Sequence, residues 1–123
     1  MTTKVRDVMT PGAIGVDYYQ SIAEAARTMR QWGIGAVLVV SDHALCGLVT
    51  ARDLVVRAVA ESRGSQEPVG PVSTADLVGV HADDDTAEAV RLMRKHRVRR
   101  LPVIDNGRVT GLVSMGDVAL MPG

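Results

Sequence analysis

Gly111-Leu112-Val113-Ser114-Met115-Gly116-Asp117 reads as a buried strand running straight into a helix, with Ser114 as the N-cap and Asp117 three residues on. A near-copy, Gly47-Leu48-Val49-Thr50-Ala51-Arg52-Asp53, stands 64 residues earlier. Sliding Gly15–Leu54 onto Gly79–Val118 without a gap matches 13 of 40 positions, among them Glu24/Glu88, Met29/Met93 and Arg30/Arg94. The chain is therefore a tandem duplication. Two supersecondary units each leave an apolar face to be covered, so function is expected between them.

With 123 residues there is material for one ordinary core, which the two repeats are expected to share. Lys+Arg and Asp+Glu are 14 each, so no global field draws the chain to nucleic acid or to an anionic membrane. The single cysteine, Cys46, excludes an intramolecular disulfide, and its apolar setting reads as a small buried core residue. The N-terminus lacks the apolar run of a signal peptide, and no stretch approaches the ~18 apolar residues of a membrane span, so a soluble cytoplasmic protein is expected.

Around the motif, each repeat spells strand, helix, strand, strand, helix. Lys4–Ile14 reads as a helical turn leading into a loop at Thr10-Pro11-Gly12, and Ile14-Gly15-Val16 as a short strand. Ser21 with Glu24 forms a capping-box pattern, and Gly33 stops the helix that follows. Gly35–Val40 and Leu45–Thr50 are apolar runs forming a hairpin or two adjacent strands, after which Thr50 caps a helix through about Glu61. That helix is apolar around more of its circumference than one core-facing stripe requires. Asp85 with Glu88 repeats the capping box for the helix Thr86–His96, Asn106-Gly107 is a strong hairpin turn, and Pro122 ends a last helix, Met115–Met121. The organisation expected is 1–62 for the first repeat, 63–70 for a polar linker and 71–123 for the second repeat.

Val98-Arg99-Arg100-Leu101-Pro102-Val103-Ile104 followed by Gly111–Asp117, supported by Val5-Arg6-Asp7-Val8-Met9-Thr10 and Gly47–Asp53, resembles a pair of cystathionine β-synthase (CBS) domains, a stand-alone Bateman module. The resemblance spans essentially the whole chain. It implies an α/β fold of two repeats packed with pseudo-two-fold symmetry, with clefts that take adenosine-type ligands such as AMP, ADP, ATP or S-adenosylmethionine. In members that bind them, the Asp of Ser/Thr-x-x-Asp accepts the ribose hydroxyls and the Ser/Thr meets a phosphate. By that resemblance one cleft would use Ser114 and Asp117, with Arg99 and Arg100 near phosphate and Ile14, Ile34, Gly35 and Ala36 around the base. The other would use Thr50 and Asp53 with Val78 and Val98. Charge favours the Asp117 cleft, because Gly35 and Ala36 stand where the second repeat has Arg99 and Arg100.

The expected function is regulatory: an adenine nucleotide binds between the repeats and its occupancy is passed to a separate effector protein, by a chain that forms a homodimer through Leu54–Ala60, Val118, Leu120 and Met121. The rival reading is a ligand-free dimeric adaptor in which Thr50/Asp53 and Ser114/Asp117 are helix caps only. Nucleic-acid binding through the basic cluster 94–100 is a third reading, weakened because no aromatic side chain interleaves the cluster. Asp83-Asp84-Asp85 reads as a helix cap, and His43, His81 and His96 as surface residues without zinc spacing. No nucleophile–base pair, P-loop or metal signature is present, so no catalytic residue, metal ligand or required cofactor is assigned.

Overall fold

The computed structural model describes residues 3–12, 14–42, 44–75 and 77–119. In chain order the elements are helix α1 (Val5–Val8), strands β1 (Thr10–Pro11) and β2 (Gly15–Asp17), helix α2 (Ile22–Trp32), and strands β3 (Ala36–Ser41) and β4 (Ala44–Thr50). One α-helical turn, α3 (Ala51–Asp53), continues as a π-helix over Leu54–Val59, and a 3-10 turn covers Gly70–Val72. Helix α4 (Thr86–His96), strands β5 (Arg100–Asp105) and β6 (Arg108–Ser114) and helix α5 (Met115–Ala119) complete the described chain.

Two compact units result: residues 14–76 form one, and the segment before residue 14 joins residues from 77 onward in the other. In the first, β2 runs parallel to β3 and β3 antiparallel to β4. Ser21 Oγ accepts the Glu24 N–H at 3.1 Å to start α2, and Gly33 at φ 63° ends it. Between these signals Ile22, Ala25 and Met29 recur at helical spacing and pack with Val16, Val37, Val39 and Val49 in one core. In the second unit β6 lies between β1 and β5, antiparallel to both. Ala89 and Met93 of α4 fill its core with Val80, Leu101, Val103 and Val113. Asn106 and Gly107, at φ 52° and 74°, make the tight β5–β6 turn.

The leader segments are exchanged between the repeats. Val69, ahead of the second repeat, is fully buried in the core of the first, and Val5, ahead of the first, is fully buried in the core of the second. Thr74 bridges Leu48 of β4 just as Thr10 pairs with Leu112 of β6, each at the same 64-residue offset. Gly47 and Gly111 admit this crossing, since a Cβ there would stand 2.8 Å from the Thr74 carbonyl oxygen and 2.6 Å from that of Thr10. The stretch 63–70 is accordingly tied down: the Val69 N–H reaches the Gln20 carbonyl at 2.8 Å, and the Ile22 and Ala23 N–H groups reach the Glu67 and Ser65 carbonyls at 2.9 Å.

Several local expectations change. The helix after Thr50 is α-helical for one turn only, then π-helical with the Ala60 N–H on the Val55 carbonyl. The first strand of the second repeat shrinks to a single parallel bridge, Val80 to Val103. Proline explains the loss: the Leu38 N–H donates to the Ile14 carbonyl at 2.9 Å, but the equivalent residue is Pro102, which has no N–H to offer Val78. Only the Ser21 half of the first expected capping box forms; at α4 neither half does, the Glu88 N–H going to the Asp85 carbonyl at 2.9 Å, and Arg27 and Arg91, three residues on, take the Glu24 and Glu88 carboxylates. The paired Arg91 guanidinium holds the Glu88 carboxyl below the usual carboxylate range. Cys46 is half-buried against the first core, its Sγ 3.6 Å from the Ala44 carbonyl oxygen. The expected residues His43, Leu120, Met121 and Pro122 lie outside the described residues.

Candidate functional site

Each repeat brings its last strand to a helix through a closed box. In the second unit the Asp117 N–H donates to Ser114 Oγ at 3.0 Å and the Ser114 N–H to Asp117 Oδ2 at 2.9 Å. In the first, the Asp53 N–H donates to Thr50 Oγ1 at 3.0 Å and the Thr50 N–H to Asp53 Oδ2 at 2.9 Å. This is the reciprocal capping arrangement, with Asp in the place of Glu. Each hydroxyl serves the cap as an acceptor and keeps its proton for a further acceptor, and each carboxylate keeps a second oxygen.

What surrounds the boxes differs. Arg100 is the cross-strand partner of Ser114, so the two side chains leave the sheet on one face. The Met115 N–H donates to the Arg99 carbonyl at 2.8 Å, which fixes Arg99 beside the start of α5. In the first repeat the same bond runs from Ala51 to Gly35 at 2.9 Å, and Ala36 faces Thr50. Asp53 has a cation near it, Arg57 Nε at 3.9 Å, while Arg57 Nη1 also reaches the Ser73 carbonyl at 3.3 Å. Asp117, Arg99 and Arg100 have no ion-pair partner among the described residues. Arg57 was not singled out in the sequence, although its place four residues after Asp53 on a helix is a usable signal.

Of the residues assigned from the sequence, the second unit holds Ser114, Asp117, Arg99, Arg100, Val78 and Val98, with Val98 half-buried against its core. The first holds Thr50, Asp53, Ile14, Ile34, Gly35 and Ala36, with Ile14 and Ile34 half-buried against its core. Ser114, Asp117, Arg99 and Arg100 are brought to one strand end. Ile14, Ile34, Gly35 and Ala36, assigned to the same cleft, belong to the other compact unit. His81 and His96 are exposed; His81 Nδ1 lies 2.8 Å from the Ile104 carbonyl oxygen. Among the described residues no group of three His, Cys, Asp or Glu side chains forms a candidate metal site, and no helix is long and apolar enough to cross a membrane. Asp83 pairs with Arg6, Asp84 Oδ2 accepts the His81 N–H at 2.9 Å, and Asp85 stands at the α4 N-cap with Lys4 Nζ at 2.9 Å.

Two α/β repeats, each ending in a Ser/Thr–Asp box at a strand-to-helix junction, define a duplicated α/β module. The chain belongs to the CBS domain family, whose model matches residues 5–59 and 69–121, so each match takes in a leader and the repeat after it. A CBS domain-containing protein of Bacillus subtilis, YhcV, is 37% identical over 118 residues, spanning 96% of this chain and 84% of that protein. The structure of a putative signal-transduction protein with CBS domains from Burkholderia ambifaria is similar at 34% identity and a TM-score of 0.87, covering 95% of this chain and 91% of that one. The CBS domain pair of protein MJ0100, solved with methylthioadenosine and S-adenosyl-L-methionine, is similar at 25% identity and a TM-score of 0.84, covering 97% and 94%. The chain is a CBS domain pair, a regulatory module.

Proposed function

We propose that this module binds an adenine nucleotide through its second repeat, with Asp117 accepting ribose hydroxyls and Ser114, Arg99 and Arg100 meeting the phosphates, and that occupancy is signalled to a separate effector protein. The supporting observation is the register of Arg100 against Ser114, which sets one arginine on the same sheet face as the hydroxyl of the Ser114–Asp117 box. Forked, charge-assisted hydrogen bonds from arginine to phosphate contribute about 1.5–3 kcal/mol each. The adenosine ligands of the MJ0100 pair lend the reading chemical precedent. Val78, Val98, Ile14, Ile34, Gly35 and Ala36 remain the proposed base-side residues, and Thr50 with Asp53 a second, less basic position.

Isothermal titration calorimetry with AMP, ADP, ATP and S-adenosylmethionine tests this. Saturable heat is expected with at least one of them, lost in Asp117→Ala and weakened about tenfold in Arg100→Gln, a loss of about 1.4 kcal/mol. Asp117→Ala also removes half of a helix cap, so its melting temperature is measured alongside; Arg100→Gln leaves the cap intact. A ligand-free adaptor is favoured by one observation, that in both boxes the hydroxyl and the carboxylate already satisfy each other's backbone N–H as a helix cap. Heats equal to dilution for all four ligands would select it.

Either reading is proposed for a homodimer. Of the surface expected to pair, Leu54 and Ala58 are instead buried in the first core and Val118 packs on the second, whereas Val55, Val56 and Val59 of the π-helix are 60%, 50% and 71% exposed, an apolar strip that a second copy would cover. Light scattering is expected to give twice the 13.1 kDa chain mass, and a monomer at micromolar concentration refutes the dimer.

A further inference from the structure

We propose that the exposed end of α4, Arg94-Lys95-His96-Arg97, is a docking surface for an acidic segment of a partner protein. The first repeat serves as an internal control. Helices α2 and α4 have the same length and end alike: a left-handed residue, Gly33 or Arg97, bonds back to the carbonyls of Met29 and Arg30 or of Met93 and Arg94. The next N–H, from Ile34 or Val98, returns to Met29 or Met93 at 3.0 Å in both copies. The first copy builds this backbone with Arg30-Gln31-Trp32-Gly33, so the fold has no need of the cations at 95–97. The helix dipole accounts for cations within the last turn, Arg30 in one copy and Arg94, Lys95 and His96 in the other, and not for a charge on Arg97 beyond it.

Arg97 carries the argument further. It holds φ 55°, a conformation that disfavours any side chain with a Cβ, where the sister repeat places glycine. A cation kept at a position suited to glycine points to a use for its charge. The acids of this unit are engaged elsewhere: Asp83 with Arg6, Asp85 with Lys4, Glu88 with Arg91, Asp84 with the His81 N–H, Asp105 with Thr110, Asp7 with the Lys4 N–H and Asp117 with the Ser114 N–H. Arg94, Lys95 and Arg97 are exposed and form no direct ion pair among the described residues, although the Lys95 charge acts on the Glu88 carboxylate.

The chemistry favours carboxylates on a polypeptide over a nucleic acid. Tyr18, Tyr19 and Trp32, the chain's Tyr and Trp residues, all belong to the other compact unit, and the chain has no Phe, so this unit by itself offers no Tyr, Trp or Phe ring on which bases stack. Four basic side chains at one helix end suit a short acidic segment, to which arginine binds through two parallel hydrogen bonds. The inference stands apart from nucleotide binding, since Arg99 and Arg100 take no part in it.

The test is fluorescence anisotropy of a labelled poly-glutamate peptide titrated with the full chain at low and physiological salt. The natural chain is expected to bind, more weakly as salt rises. Lys95→Gln with Arg97→Gly is expected to weaken binding about tenfold, while its melting temperature holds or rises because glycine relieves the left-handed position. A merely structural role for these residues would not separate binding from stability in that direction. Unchanged peptide affinity in the variant, no binding by the natural chain, or tighter binding of duplex DNA or an oligonucleotide of equal charge would each overturn the proposal.

Discussion

Removing residues 1–12 is expected to destabilise the chain by about 5 kcal/mol, comparable to the whole stability of many small domains. The segment looks like a dispensable N-terminal arm, yet its Val5 side chain is fully buried among Val80, Met93, Leu101 and Val113. Burying a valine contributes about 1.5–3 kcal/mol. The Val5 and Arg6 N–H groups donate to the Asp84 and Ala82 carbonyls at 2.8 and 3.0 Å, the Thr86 N–H to Thr3 at 3.0 Å, and the Gly12 N–H to Thr110 at 2.8 Å. Each such bond is worth about 0.5–1.5 kcal/mol net. Without the arm, β6 also becomes an edge strand open to pairing with other chains. Urea unfolding of the truncated and intact chains measures the effect, and a midpoint unchanged by truncation would contradict the exchange of leaders.

Gly70→Ala is expected to cost about 3 kcal/mol, at the upper end of the usual overpacking penalty. A Cβ at residue 70 would sit 2.2–2.3 Å from three atoms of the Tyr18 ring. The backbone cannot give way cheaply, because the Gly70 N–H is bonded to the Tyr18 carbonyl at 3.0 Å and Val69 and Val72 on either side are buried in the core. The ring is held as well, packed on that core and edge-to-face with Tyr19 at 5.1 Å. In a Tyr18→Ala background the same substitution should cost much less, so a double-mutant cycle isolates the clash. Equal costs in both backgrounds would mean that the new methyl group meets something other than the ring.

Local signals carried well into the structure wherever the chemistry was local. Ser21 and Gly33 bound a helix, Asn106-Gly107 turns a hairpin, and both Ser/Thr-x-x-Asp motifs close as caps, because each depends on contacts within four residues. The charge difference around the two boxes was legible in the same way: an offset of 64 residues makes Arg99 and Arg100 the equivalents of Gly35 and Ala36, and strand register then sets Arg100 against Ser114 and Ala36 against Thr50. The missed π-helix and the unformed Glu24 and Glu88 boxes turn on close competition, between i+4 and i+5 carbonyls or between a backbone N–H and a nearby arginine, which residue order alone does not settle.

The sequence by itself determined the duplication, the order of strands and helices in each copy, and the difference in charge between copies, since periodicity and capping are written in neighbouring residues. Tertiary structure alone decided which leader covers which repeat, because Val5 and Val69 are the same residue type and their side-chain chemistry does not distinguish the two cores. It also decided how far Pro102 cuts the second repeat's first strand, an effect that depends on which carbonyl lies across from the missing N–H. Long-range choices of this kind rest on backbone partners far apart in the chain, and only the folded geometry brings them together.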